Sequence, residues 1–274
     1  MIKKLYSNGC NLSYDYIEKV GASTVVLIHG YGVNRKMWQP QLDFLRDKFT
    51  VINIDVRGHG QSRPCGTFSI KEAASDLRNI LLAEKCEKAI LIGLSMGCYI
   101  IQEYAYKYGG ALGYMIIGSV PILLPCYSKL EKIAIKHSAG MMKLYPWAYM
   151  KNEMTKICAT TEQARKLIHP MFDEMTQSEF IQSWNGIATC LHEEQMQFDA
   201  PLLVACGEKD KTGSIKKCMK FWKSSYKNCE IKILTNASHV ANLDAINDFN
   251  KLMLNFISTC DNSNGHLLSP AFVD

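Results

Sequence analysis

Nowhere does this chain gather its lysines and arginines into a basic run. Its 31 basic and 26 acidic residues leave a net charge of +5 spread over 274 positions. The electrostatic footprint of a nucleic-acid binder is therefore missing, and no nucleic-acid partner is expected. Long apolar stretches are missing too. None approaches the length needed to span a bilayer, so no membrane partner is expected. The amino-terminal Met1–Ser7 begins like a signal peptide, but Asn8-Gly9 interrupts it before an apolar region develops. The eleven cysteines show no C-x-x-C spacing; they are odd in number and scattered, and Cys98 and Cys206 lie in apolar runs. Free thiols in a reducing cytoplasm fit this pattern better than a disulfide frame or a metal site. His192-Glu193-Glu194-Gln195-Met196 lacks the second histidine of a zinc helix, and Gly30-Tyr31-Gly32 lacks the third glycine of a dinucleotide loop. No metal and no organic cofactor is expected.

What is present is material for one substantial core. With 47% hydrophobic residues in 274, a single α/β domain with an insertion is the expectation. Asn8-Gly9 between Lys4-Leu5-Tyr6 and residues 12–17 signals a hairpin at one sheet edge. Thr24–Ile28, Phe49–Asp55, Ala89–Leu94, Tyr114–Gly118, Pro201–Gly207 and Glu230–Leu234 read as strands, most of them apolar enough to be covered on both faces. Helical spacing recurs at 38–47, 70–84, 96–107, 213–225 and 243–257. The pattern predicts a mostly parallel, eight-stranded sheet flanked by helices, with its ligand beyond the carboxyl ends of the strands. Residues 120–197 hold no strand-like run and form a helical cap over that edge. The core is then 1–119 with 198–258, and 259–274 a polar carboxyl-terminal tail.

Gly93-Leu94-Ser95-Met96-Gly97 follows an apolar strand and opens a helical pattern. A serine between two glycines at such a turn is where a nucleophile elbow exposes a reactive hydroxyl. An aliphatic hydroxyl needs a base. Of seven histidines, His137, His169 and His192 lie in the helical insertion and His266 in the tail. His29 and His59 belong to glycine-rich turns, where holding loop backbone is the expected role. His239 follows the last strand, level with Ser95 at the carboxyl edge. Asp210, after strand 202–206, is the carboxylate to orient it; Glu208 is the competitor, closer to the strand end and suited to a loop hydrogen bond. For the oxyanion, the backbone N–H groups of Met96 and Tyr31 are the candidates.

The order Ser95, Asp210, His239 resembles the α/β-hydrolase superfamily, and the likeness extends over residues 20–258. His29-Gly30-Tyr31-Gly32 with Trp38 resembles the oxyanion loop of that family, residues 55–62 its loop after strand four, and Gly93–Gly97 its elbow. Cys98 departs from the pattern, since many relatives have a second glycine there. The resemblance implies acyl transfer to water. Serine rather than aspartate at 95 disfavours dehalogenase and epoxide hydrolase chemistry. The cap carries many Met, Trp and Tyr residues, and Trp147, Met150, Met171 and Trp184 are candidate walls of a deformable apolar pocket. A small apolar ester, thioester or lactone is the expected substrate. Carbon–carbon bond hydrolysis, acyl transfer, aminopeptidase activity and a hydrolase-like ligand receptor are the alternatives. Lys129, Lys132, Lys136 and Lys143 recur at helical spacing as a solvated face.

Overall fold

The structure is a computed structural model and describes residues 1–263. Asn8 and Gly9 take left-handed backbone (φ 46° and 75°), which joins β1 (Ile2–Ser7) to β2 (Cys10–Ile17) in the tight hairpin that Asn-Gly favours, with Ser7 paired to Cys10. The other strands are β3 (Thr24–Ile28), β4 (Thr50–Asp55), β5 (Ile90–Leu94), β6 (Gly113–Ile117), β7 (Leu202–Gly207) and β8 (Cys229–Leu234). They form one eight-stranded sheet in the order β1-β2-β4-β3-β5-β6-β7-β8. β1 and β2 are antiparallel to their neighbours and every later pair is parallel.

The β-branched runs form strands because both faces are covered. Val26 and Ile28 pack toward α2 (Ile70–Ala83) and α3 (Met96–Lys107), while Val25 and Leu27 pack toward α1 (Gln39–Leu45) and the last helix. β8, at an edge of the sheet, exposes Glu230 and Lys232, charges that discourage edge pairing. The chain steps from β3 outward to β4, then back across to β5. That reversal leaves a crevice at the carboxyl ends of β3 and β5.

Between β6 and β7 come four helices, α4 (Lys129–Met142), α5 (Trp147–Cys158), α6 (Glu162–Asp173) and α7 (Gln177–Ala188). Ser128 with Glu131 and Thr176 with Glu179 form capping boxes at α4 and α7, and Thr161 caps α6. The ends of this segment meet: Leu124 N–H donates to His192 O (2.7 Å) and His192 N–H to Ile122 O (2.8 Å).

After α8 (Ile215–Ser225) and β8, the chain departs from the single helix expected over 243–257. α9 (Ala241–Asp244) is separate, and α10 runs from Ile246 to Ser263. The break at Ala245 leaves the Asp244 carboxylate to accept the N–H groups of Thr160, Thr161 and Ser238. The extension buries Cys260 in line with Phe249, Met253 and Phe256, so residues 259–263 belong to the helix and not to a tail. The rest of the expected tail, with His266, lies outside the described residues.

Candidate active site

Ser95 stands between β5 and α3 with φ 54° and ψ −112°, a strained backbone that turns its side chain out of the sheet. The flanking glycines are steric requirements. A Cβ on Gly97 would lie 2.3 Å from Ile28 O, and one on Gly93 2.7 Å from the backbone of Gly97. The Ser95 N–H donates to Ile117 O (2.8 Å), tying the turn to the end of β6. Behind it, the Cys98 thiol donates to Gly93 O (3.0 Å) and accepts from the Ile117 N–H (3.1 Å). A side chain therefore fills the space that a second glycine would leave open. Burial pushes this thiol up to about 12, so it is packing and not a nucleophile.

Asp210 is buried just after β7, where Gly207 lets the chain pass: a Cβ there would lie 2.1 Å from Ser238 O. His239 Nδ1 donates to Asp210 Oδ2 (3.0 Å). Asp210 Oδ1 accepts both the N–H (2.8 Å) and the hydroxyl (2.6 Å) of Thr212. Burial works against ionisation of Asp210, but the hydrogen bonds from His239 and Thr212 outweigh it and hold the carboxyl below its ordinary range. Thr212 Oγ1 also stands 2.8 Å from His239 Nδ1. With Nδ1 engaged, Nε2 is the nitrogen left for a reacting group. Ser95 and His239 line the same cavity. Their side chains share no direct hydrogen bond, a looseness common where such contacts tighten only around substrate.

Met96 opens α3, so its N–H is among the unpaired donors of a helix amino terminus. Tyr31 follows β3 on the loop facing it, and both residues line the cavity. His29 sets that loop. Its Nε2 accepts from the Val56 N–H (2.9 Å), which leaves the proton on Nδ1 to donate to Gly30 O (2.7 Å). Complete burial lowers the imidazole to about 4 and keeps it neutral. The Tyr31 ring packs 4.1 Å from Phe180, and its hydroxyl donates to Phe180 O, joining the loop to α7.

The sequence profile described as serine aminopeptidase, S33, matches residues 21–245. The chain belongs to this family of α/β-hydrolases. It is 25% identical over 264 residues to a protein of Synechocystis sp. named as a non-heme chloroperoxidase, covering 88% of this chain and 94% of that one. A shorter match, 35% identical over 92 residues and 34% of each chain, is to the pimeloyl-acyl-carrier-protein methyl ester esterase of Pectobacterium carotovorum. A thermophilic esterase from Thermogutta terrifontis has the same fold, with a TM-score of 0.81 at 19% identity over 95% of this chain and 99% of that one.

In this α/β-hydrolase the cavity beside Ser95 has a volume of about 450 Å³ and mostly apolar walls. Trp184 lines it, with its indole N–H donating to Ser138 (2.6 Å) and its ring 5.6 Å from Tyr31. Trp147, Met150 and Met171 do not reach it. They face neighbouring helices: Trp147 donates to Met175 O (3.2 Å) and packs 4.9 Å from Phe180, Met150 receives the Gln177 amide, and Met171 is buried in the core. Met142, Met154, Phe172 and Tyr99 take wall positions instead. Tyr99 could have been found from its spacing, four residues after Ser95 on one helix face. Glu208 accepts from the Asn236 N–H (3.0 Å), the loop role expected of it. His192 pairs with Glu103 (2.5 Å) and His169 with Thr155 (3.0 Å), both away from Ser95. Among the described residues no helix is long and apolar enough to cross a membrane.

Proposed function

We propose that this protein is a serine hydrolase that cleaves a small, largely apolar carboxylic ester, thioester or lactone through an acyl-enzyme on Ser95. The observation that carries this reading is the Asp210–His239 hydrogen bond (3.0 Å) on the same cavity as a serine held in left-handed backbone. Ser95 Oγ attacks the acyl carbon as His239 Nε2 takes its proton. Asp210 holds the imidazole in the Nδ1–H tautomer and stabilises the imidazolium. The N–H groups of Tyr31 and Met96 receive the oxyanion, each such donor contributing ~3 kcal/mol to the transition state. His239 then protonates the leaving alcohol and activates the water that releases the acid. Residues 120–197 act as the cap over this site, with Trp184 as one wall. The free thiols of Cys10, Cys98, Cys158 and Cys206 suit the cytoplasm.

An ester is favoured over a peptide amino terminus by the mostly apolar walls of the cavity, on which Glu131 is the one carboxylate among the described residues. Its oxygens accept from the Ser128 N–H (2.8 Å) and the Ser214 hydroxyl (2.9 Å), which ties it into the cap of α4. The test is turnover on aryl esters of graded acyl length, on lactones and on aminoacyl arylamides. Sustained ester or lactone turnover that falls by several orders of magnitude in Ser95→Ala, with Asp210→Asn more damaging than Glu208→Gln, supports the reading. A single slow turnover with retained ligand would make it a receptor, and faster arylamide cleavage a peptidase.

A further inference from the structure

Helix α4 has two very different sides. Glu131, Ile135 and Met142 line the cavity. On the opposite side Leu130, Ile133, Met141 and, just beyond the helix, Leu144 are 79%, 56%, 57% and 81% exposed. Their spacing places them on one stripe, with the exposed His137 among them. Tyr145 and Tyr149 continue the stripe into α5, half exposed and with their rings stacked 6.1 Å apart. Lys129, Lys132, Lys136 and Lys143 repeat with the same period along one flank. The helical segment makes its own ion pairs with other lysines, Lys151–Asp173, Lys156–Glu153 and Lys166–Glu162. Among the described residues the four lysines of the flank form no ion pair.

Single exposed apolar side chains need no explanation, but a contiguous stripe of large ones is costly in water unless something covers it. A row of one charge sign beside such a stripe is the pattern of a helix that lies in the plane of a membrane surface, its apolar side among acyl chains and its lysines at anionic headgroups. We propose that this side of α4, with Tyr145 and Tyr149, docks on an anionic lipid surface. Two features favour lipid over a protein partner. The stripe runs along the exposed convex side of α4 and on into the start of α5, and its flank carries lysines that form no ion pair among the described residues. Docking would set the roof of the cavity against a phase that stores apolar esters. That last clause rests on the ester hydrolase reading, whereas the docking does not. Such contact differs from spanning the membrane and revises the expectation of no membrane partner.

The experiment is co-sedimentation of the full chain with vesicles of phosphatidylcholine alone and of phosphatidylcholine with about a third phosphatidylglycerol. Binding to the anionic vesicles is expected to exceed that to neutral ones by about tenfold or more and to weaken as salt is raised. Lys129→Gln combined with Lys136→Gln should weaken it about 30-fold, and Leu130→Ser combined with Leu144→Ser should abolish it. All four positions lie outside the cavity wall, so these variants should keep the circular dichroism of the parent and its rate on a soluble short-chain ester. Ser95→Ala should bind vesicles like the parent, which separates failure of the docking from failure of the catalytic reading. Absence of binding at low salt, or binding indifferent to both double variants, overturns the proposal. So would a dimer in sedimentation that Leu130→Ser with Leu144→Ser dissociates, because the stripe would then belong to a second copy.

Discussion

The hydroxyl of Thr212 lies between the acid and the base of the proposed mechanism, donating to Asp210 Oδ1 at 2.6 Å and standing 2.8 Å from His239 Nδ1. With the Thr212 N–H on the same carboxylate oxygen, Oδ1 is fully occupied and Oδ2 is left to the imidazole. Thr212→Val removes a charge-assisted hydrogen bond worth roughly 1.5–3 kcal/mol. It is expected to lower kcat by tenfold or more with little change in KM, and Thr212→Ser should restore most of the loss; steady-state kinetics of the two variants checks this. His29 gives a second expectation. Its folded pKa, about 4, lies below the ordinary 6.5, so the unfolded chain takes up a proton that the folded chain refuses. Stability should therefore fall as the pH drops from about 6.5 toward 4, by roughly 3 kcal/mol from this group. Denaturant midpoints over that range should show the slope, and His29→Gln should reduce it, with the remainder coming from buried His59, which is lowered to about 3. Ser95, His239 and Asp210 could be picked out as candidates because each follows a strand, and the carboxyl end of a parallel strand is a place that sequence periodicity can mark. Thr212 could not, because nothing in a polar loop says which way a hydroxyl turns.

Among the elements, α5 and α7 divide the aromatic residues of the helical segment by task. Trp184 on α7 is a cavity wall, whereas Trp147 on α5 is wedged between helices. Trp184→Ala should shift preference toward longer or bulkier acyl groups in a chain-length series. Trp147→Ala should leave that preference alone and lower stability by about 3–5 kcal/mol, read from chemical denaturation. The strands were legible because a β-branched run covered on both faces has few other conformations open to it. The helices of the segment were legible as helices, but their rotation was not. Met150 and Met154 share a side of α5 at i and i+4, yet only Met154 reaches the cavity. Which apolar residue faces a ligand and which a neighbour depends on helices far away in the chain. The break before α10 had the same cause, since Asp244 is held by Thr160 and Thr161, 84 and 83 positions away.

At the scale of the molecule, the four helices are fastened unevenly to the sheet. The turn from α5 to α6 is tied directly to the segment that carries His239: Val240 N–H donates to Cys158 O (2.9 Å), the Ser238 hydroxyl to Ile157 O (2.9 Å), and Asp244 accepts from Thr160 and Thr161. α4 has fewer such ties; it rests on α7 through Trp184 and Ser138 and on the core through Glu131 and Ser214. Amide hydrogen exchange should therefore reach α4 well before the α5–α6 turn. The stitched turn has a consequence for the timing of a catalytic cycle. In the proposed mechanism, a cap stitched beside His239 opens from its α4 side, so the proton acceptor stays aligned through loading and release. An enzyme built this way need not reassemble its chemistry at each turnover, and its rate of opening can evolve without cost to its rate of bond cleavage.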